Sequence, residues 1–161
     1  MKADVTDAHR WLQQLVGDWT YAIDPSEGEG APQTKLGGTE QVRALGEVWI
    51  VGDGRGRMPD GSPADWQLTL GYDPARQRFV GTWIGSMMNF LWVYHDGFLD
   101  ADRRVLTLEA EGPTFDGTPG TALYRDIVTL QGDDVRVLTG NVRDADGQWN
   151  AFMRTTYTRQ R

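Results

Sequence analysis

The chain has 161 residues, 39% of them hydrophobic and 24% charged, which is enough to bury one full core and too polar for a bundle of membrane-spanning helices. Its net charge of −7 argues against a nucleic-acid partner, because phosphate contacts need clustered Lys and Arg. The absence of cysteine excludes disulfides and thiol catalysis.

The first residues, Met1 to Asp7, contain neither an apolar stretch nor a small-residue cleavage site, so no secretory leader is signalled and a cytoplasmic location is expected. From Thr6 or Asp7, either a suitable N-cap, the apolar positions Ala8, Trp11, Leu12, Leu15 and Val16 recur at helical spacing, which predicts a helix over about 7–16 stopped by Gly17. Beyond it the pattern changes to short alternating segments divided by turn residues. Trp19–Ile23 is the first strand, and the Gly/Glu/Pro-rich stretch Ser26–Gly38 reads as a mobile loop. Further strands are expected at about 39–45, 47–57, 66–72, 78–85, 90–99, 105–111, 121–130, 135–143 and 149–158. Asp100–Asp102, Gly132–Asp134 and Asp144–Gly147 carry hairpin-turn chemistry, since Asp and Gly tolerate positive φ. About ten strands with hairpin-length links and no crossover helix form an antiparallel meander. Its two edges are removed by closure into a barrel, with the helix capping one end. The expected fold is therefore all-β: a single closed up-and-down barrel occupying the whole chain, with no membrane span.

Leu15-Val-Gly17-Asp-Trp19 after a short helix resembles the Gly-x-Trp start of lipocalin-type barrels. More specifically, Leu70-Gly-Tyr-Asp-Pro74, Gly81-Thr-Trp-Ile-Gly-Ser-Met-Met88, Leu91-Trp-Val-Tyr94, Gly112-Pro-Thr-Phe115 and Tyr124-Arg-Asp-Ile127 resemble a bacterial family of unknown function, DUF1579, over nearly the whole chain. That resemblance implies a lipocalin-like, calycin-type barrel and no particular reaction. It also implies that an Arg of the last strand, Arg159 or Arg154, stacks on Trp19.

Alternation along the strands suggests which side chains face inward. In the last strand Trp149, Ala151, Met153, Thr155 and Tyr157 form the more apolar set, and the same parity takes Arg159. Tyr124, Val128 and Leu130 share a face with Asp126, leaving Arg125 outside, while Val135 and Val137 share one with Thr139 and Asn141. Parity around Trp49, Trp83 and Trp92 stays open. The inward polar groups either satisfy one another, Asp126 pairing with an Arg, or orient a ligand.

Little else carries chemistry. Only His9 and His95 are present, too few for a zinc site, and a haem barrel of the nitrobindin type would need an axial His after His95; no cofactor and no metal are expected. Tyr157-Thr-Arg159 is, in reversed order, similar to the carboxylate-gripping Arg-x-Tyr of fatty-acid-binding barrels. Ser86 and His95 lack a nucleophile elbow, and Gly52–Gly56 opens no helix, so it is no phosphate cradle; its glycines relieve crowding instead. Met87–Phe90 is apolar where a hairpin turn is ordinarily polar, and reads as a plug, a flexible portal lip or a homodimer contact. The expected site is an interior pocket open opposite the helix and lipped by Met87, Met88 and Phe90. Trp92, Tyr94, Met153 and Tyr157 wall it, and Asp126 and Arg159 are its polar anchor. Its partner would be a small apolar or amphipathic molecule; acid–base catalysis by Tyr157, Asp126 or His95, or a filled structural barrel, are the alternatives.

Overall fold

The computed structural model describes residues 1–25 and 35–161. The amphipathic N-terminal segment forms α1, Asp7–Leu12, followed by a 3-10 turn at Gln13–Leu15. His9 completes a capping box with Thr6: its Nδ1 accepts the Thr6 N–H at 3.0 Å, which leaves Nε2–H to donate to the Tyr72 carbonyl at 3.0 Å. The α-helical part is shorter than the periodicity suggests because the last turn tightens and Val16 is already extended. The Leu15 carbonyl instead accepts the Trp19 indole N–H at 2.9 Å.

Ten strands follow: β1 (Gly17–Ile23), β2 (Leu36–Leu45), β3 (Trp49–Arg57), β4 (Pro63–Asp73), β5 (Arg78–Gly85), β6 (Trp92–Leu99), β7 (Val105–Pro113), β8 (Thr121–Leu130), β9 (Val135–Arg143) and β10 (Trp149–Arg159). Each pairs antiparallel with its sequence neighbours, and β1 pairs with β10, closing the barrel. The expected loop extends too far: Leu36–Gly38 pairs with Ile23, Ala22 and Tyr21 inside β2, while residues 26–34 lie outside those described. The β6–β7 ladder covers only Asp96–Leu99 against Leu106–Glu109, so Trp92 to His95 have no register partner on β7. No helix among the described residues is long and apolar enough to cross a membrane.

Apolar residues seal the end beneath α1. Trp11, Leu12 and Leu15 are buried with Ile50, Leu70, Phe79 and Leu106, and the Trp11 indole N–H donates to the Arg103 carbonyl at 2.7 Å. Trp19 is 2% exposed and lies under the Arg159 guanidinium, 4.2 Å from ring centroid to Cζ. Arg159 also donates to the carbonyls of Val16 (2.6 Å), Gln14 (2.7 Å) and Asp133 (3.0 Å), tying the last strand to the helix end. Gly17 makes this possible: its φ is +143°, and a Cβ there would collide with the guanidinium. The Gly-x-Trp signature is thus a space requirement, a glycine that lets an arginine reach the face of the tryptophan. Of the two arginines considered for this stack, Arg154 instead pairs with Asp24 at 3.0 Å.

Trp19→Ala should lower the unfolding free energy by about 3–5 kcal/mol, the cost of deleting a buried large aromatic. Urea titration checks this, and a loss under about 1 kcal/mol would place Trp19 outside the load-carrying core.

Candidate functional site

The strand register fixes which residues face inward. Tyr124, Asp126, Val128 and Leu130 on β8 stand opposite Val142, Gly140, Leu138 and Arg136 on β9, and the latter two stand opposite Thr155 and Tyr157 on β10. The inward face of β9 is therefore Arg136, Leu138, Gly140 and Val142, the reverse of the sequence expectation; Thr139 and Asn141 point outward. In β10 the register shifts between Ala151 and Met153, so a bulge at Phe152 changes parity partway along. Met153, Thr155 and Tyr157 face in as expected. Trp149 and Ala151 do not: Trp149 lies outside, with the Arg125 guanidinium 4.2 Å above its ring.

Glycines opposite aromatic residues shape the space inside. Trp66 covers Gly54, Trp92 covers Gly112 and Phe152 covers Gly140, each ring occupying the room a Cβ would take. Gly52 and Gly56 similarly leave room for the Glu40 carboxylate and the Tyr21 hydroxyl, so the glycines of β3 do relieve crowding, by admitting neighbouring side chains.

What remains is a cavity of about 370 Å³. It runs from Leu15, near the helix, to the opposite end, where Met58, Met87, Met88, Phe115 and Phe152 line it. Trp66, Trp83, Trp92 and Tyr124 form its aromatic walls, with Trp66 and Trp83 stacked at 6.3 Å and Trp92 edge-on to Tyr124 at 4.7 Å. At the lip the Trp92 indole N–H points at the Met88 sulfur, 3.0 Å away, and Met88 is 37% exposed.

Two polar centres sit in this apolar space. The first is a buried ion pair between Glu40 of β2 and Arg136 of β9. The Arg136 guanidinium is sandwiched between Trp19 (4.5 Å) and Tyr157 (4.3 Å), and its Nε is buried without a hydrogen-bond partner among the described residues. Burial pulls its pKa down to about 10, still far above neutrality, so the guanidinium stays charged beside the Glu40 carboxyl. The second centre is Asp126, whose Oδ2 accepts the Tyr94 hydroxyl. Burial pushes the Asp126 carboxyl up to about 6 against the lowering effect of the Tyr94 hydrogen bond. Burial likewise raises Tyr157 to about 12, although Arg136 beside it pulls the other way, and raises Tyr94 well above the usual phenol range, reinforced by Asp126. Among the described residues no donor reaches the other Asp126 oxygen, and none makes a hydrogen bond to the hydroxyl of Tyr21 or Tyr157.

Of the nine residues expected at the site, Met87, Met88, Trp92, Tyr94, Asp126, Met153 and Tyr157 line the cavity. Phe90 does not; it packs edge-on against Trp92 at 5.7 Å. Arg159 is also outside the lining, held at the closed end by backbone carbonyls and Trp19, so Asp126 pairs with a tyrosine rather than an arginine. Glu40 and Arg136 were missed. Gly38, Glu40, Val42 and Ala44 form the small, apolar set of β2 against Thr39, Gln41 and Arg43, a signal that would have placed Glu40 inside. His95 is exposed on β6 and His9 is engaged with Thr6 and Tyr72, so neither imidazole lines the cavity. The Ser86 hydroxyl accepts the Asp65 N–H at 3.0 Å, and no hydrogen bond joins it to His95 among the described residues. No cluster of three or more metal-ligating side chains occurs among the described residues.

The closed ten-strand barrel fits what comparison shows. Residues 4–159 match the family described as "Protein of unknown function (DUF1579)", and the chain belongs to that family. No curated protein sequence matches it. Among solved structures, Rv2717c from M. tuberculosis is 14% identical, with a TM-score of 0.62, covering 98% of this chain and 100% of that one. The S-type phycobiliprotein lyase CPES from Guillardia theta is 12% identical, with a TM-score of 0.53, covering 94% of this chain and 92% of the lyase. The barrel EF1p2_mFAP2b, solved bound to DFHBI, is 12% identical, with a TM-score of 0.49, covering 95% and 99% of the two chains.

The raised Asp126 carboxyl gives a stability test. With its folded pKa near 6 and its unfolded value near 3.8, the folded state holds the extra proton between those limits. Its contribution to stability is thus fully present below pH 4 and is lost as the pH rises through 6. Asp126→Asn should therefore stabilise the protein at pH 8, by on the order of 2–3 kcal/mol at about 1.4 kcal/mol per pKa unit, and give no such gain at pH 4. Thermal melts of both proteins across that range check it; an equal effect at both ends would contradict the buried, cavity-facing carboxyl.

Proposed function

We propose that this protein is a soluble, cytoplasmic binding protein that shelters a small, mostly apolar molecule with one polar end inside the barrel. The observation that supports this most directly is the cavity itself. Its volume of about 370 Å³ lies within the range of about 300–1,000 Å³ typical of small-molecule sites. Its walls are largely aromatic rings, and its few polar groups are the Glu40–Arg136 pair and Asp126 with its tyrosine neighbours. Buried tyrosine hydroxyls ordinarily find partners, so those of Tyr21 and Tyr157 are groups a ligand or water would satisfy. The lip of Met87 and Met88, beside the stretch of β6 that has no register partner on β7, is the natural entrance, since methionine side chains adapt to varied apolar shapes.

A second reading, acid–base catalysis in the same space, is favoured by one observation: an Asp126 carboxyl near 6 can exchange protons close to neutral pH. Turnover of a bound compound that disappears in Asp126→Asn would establish it.

Titration with the neutral fluorophore N-phenyl-1-naphthylamine tests the binding reading. Its emission should rise with saturation in the micromolar range and be reversed by small aromatics, terpenoids or fatty alcohols. Leu138→Trp, which fills the cavity wall, and Met88→Lys at the lip should each weaken binding about tenfold or more, equivalent to about 1.4 kcal/mol. Failure of the fluorophore and all competitors to bind below millimolar would contradict the proposal.

A further inference from the structure

The charges inside the barrel do not balance, and the imbalance selects the ligand. Glu40 and Arg136, which also line the cavity, form an ion pair whose guanidinium lies between Trp19 and Tyr157, so the charge of the arginine is already matched by Glu40. Asp126 has no cation. Its oxygen Oδ2 accepts the Tyr94 hydroxyl, the other faces the cavity without a donor among the described residues, and its inward neighbours across the two ladders are Leu108 and Gly140. Tyr157 stands between the two centres, within electrostatic reach of both Arg136 and Asp126. The walls of the same cavity include the rings of Trp83, Trp92 and Tyr124. An apolar chamber lined by aromatic rings and holding one uncompensated acid attracts a cation through the carboxylate.

We infer that the cavity selects ligands ending in a protonated amine on an aromatic or aliphatic body, the ammonium donating to the free oxygen of Asp126 while the body lies among the tryptophans. The inference rests on the binding reading above and sharpens it. A carboxylate-ended amphiphile is the opposite case: it would bring a second negative charge beside Asp126, and Arg136 is already committed to Glu40.

Three probes of one shape separate the possibilities: 4-phenylbutylamine, 4-phenylbutan-1-ol and 4-phenylbutyrate, titrated calorimetrically at pH 8, where Asp126 is ionised and the amine protonated. The amine should bind about tenfold or more tighter than the alcohol, and the carboxylate should bind weakest. In Asp126→Asn the amine should lose about tenfold or more and its preference over the alcohol should vanish, while an unchanged near-UV circular dichroism spectrum shows that the variant remains folded. An alcohol that binds with no preference for the amine, a carboxylate that binds tightest, or an amine preference that survives in Asp126→Asn would each overturn the selectivity and leave the binding reading standing. Absence of binding by all three, together with failure of the neutral fluorophore, would overturn both.

Discussion

Ten strands close around a space wider than ordinary aliphatic side chains can fill, and the rest of this molecule depends on how aromatic rings are fitted into it. Part of the solution is steric complementarity between neighbouring strands: at three places a large ring lies over a glycine of the strand beside it. Trp66 over Gly54, Trp92 over Gly112 and Phe152 over Gly140 place rings against the wall rather than across the middle. This leaves the centre empty toward the mouth, while Trp11, Leu12, Leu15 and Trp19 fill the end beneath the helix. The high glycine and tryptophan content are therefore two halves of one device.

Electrostatics then divides the interior by depth. Near the closed end the guanidinium of Arg136 is held by Glu40, Trp19 and Tyr157, and Arg159 clamps the other approach to Trp19. Removing either member of the Glu40–Arg136 pair would strand a buried charge, so this centre belongs to the fold. Asp126 is different. It has a hydroxyl partner but no counter-charge, and the space beside it is open. In the proposed binding role, a group costly to bury and left uncompensated in a cavity trades stability for recognition.

The architecture was legible because hairpin turns and alternation are local signals. Asp and Gly pairs mark the turns at 100–102, 132–134 and 144–147, and the Gly-x-Trp motif carries its own steric logic at Gly17, Trp19 and Arg159. The position of Met87 and Met88 along the cavity was legible from the same kind of local signal, being apolar where turn chemistry is polar. The interior chemistry was harder to read. In β9 both faces carry apolar residues, and the inward one holds the arginine, because the partner that admits it, Glu40, is 96 residues away. In β10 a bulge at Phe152 shifts the parity that alternation relies on, which put Trp149 on the wrong side. Arg159 was assigned to the cavity on parity alone, yet carbonyls at the helix end hold it outside. Long-range charge pairing and a single bulge leave no periodic trace in a sequence.

The central claim is that a lone carboxylate faces an apolar, ligand-accepting cavity. The carboxyl carbon of Asp126, followed by 13C NMR across a pH titration, reports on it directly. In the free protein it should titrate near 6, well above the ordinary value of 3.8, and saturation with a protonated amine should move the midpoint downward. A carboxyl that titrates near 3.8 in the free protein, or one whose midpoint ignores the amine, would contradict this account.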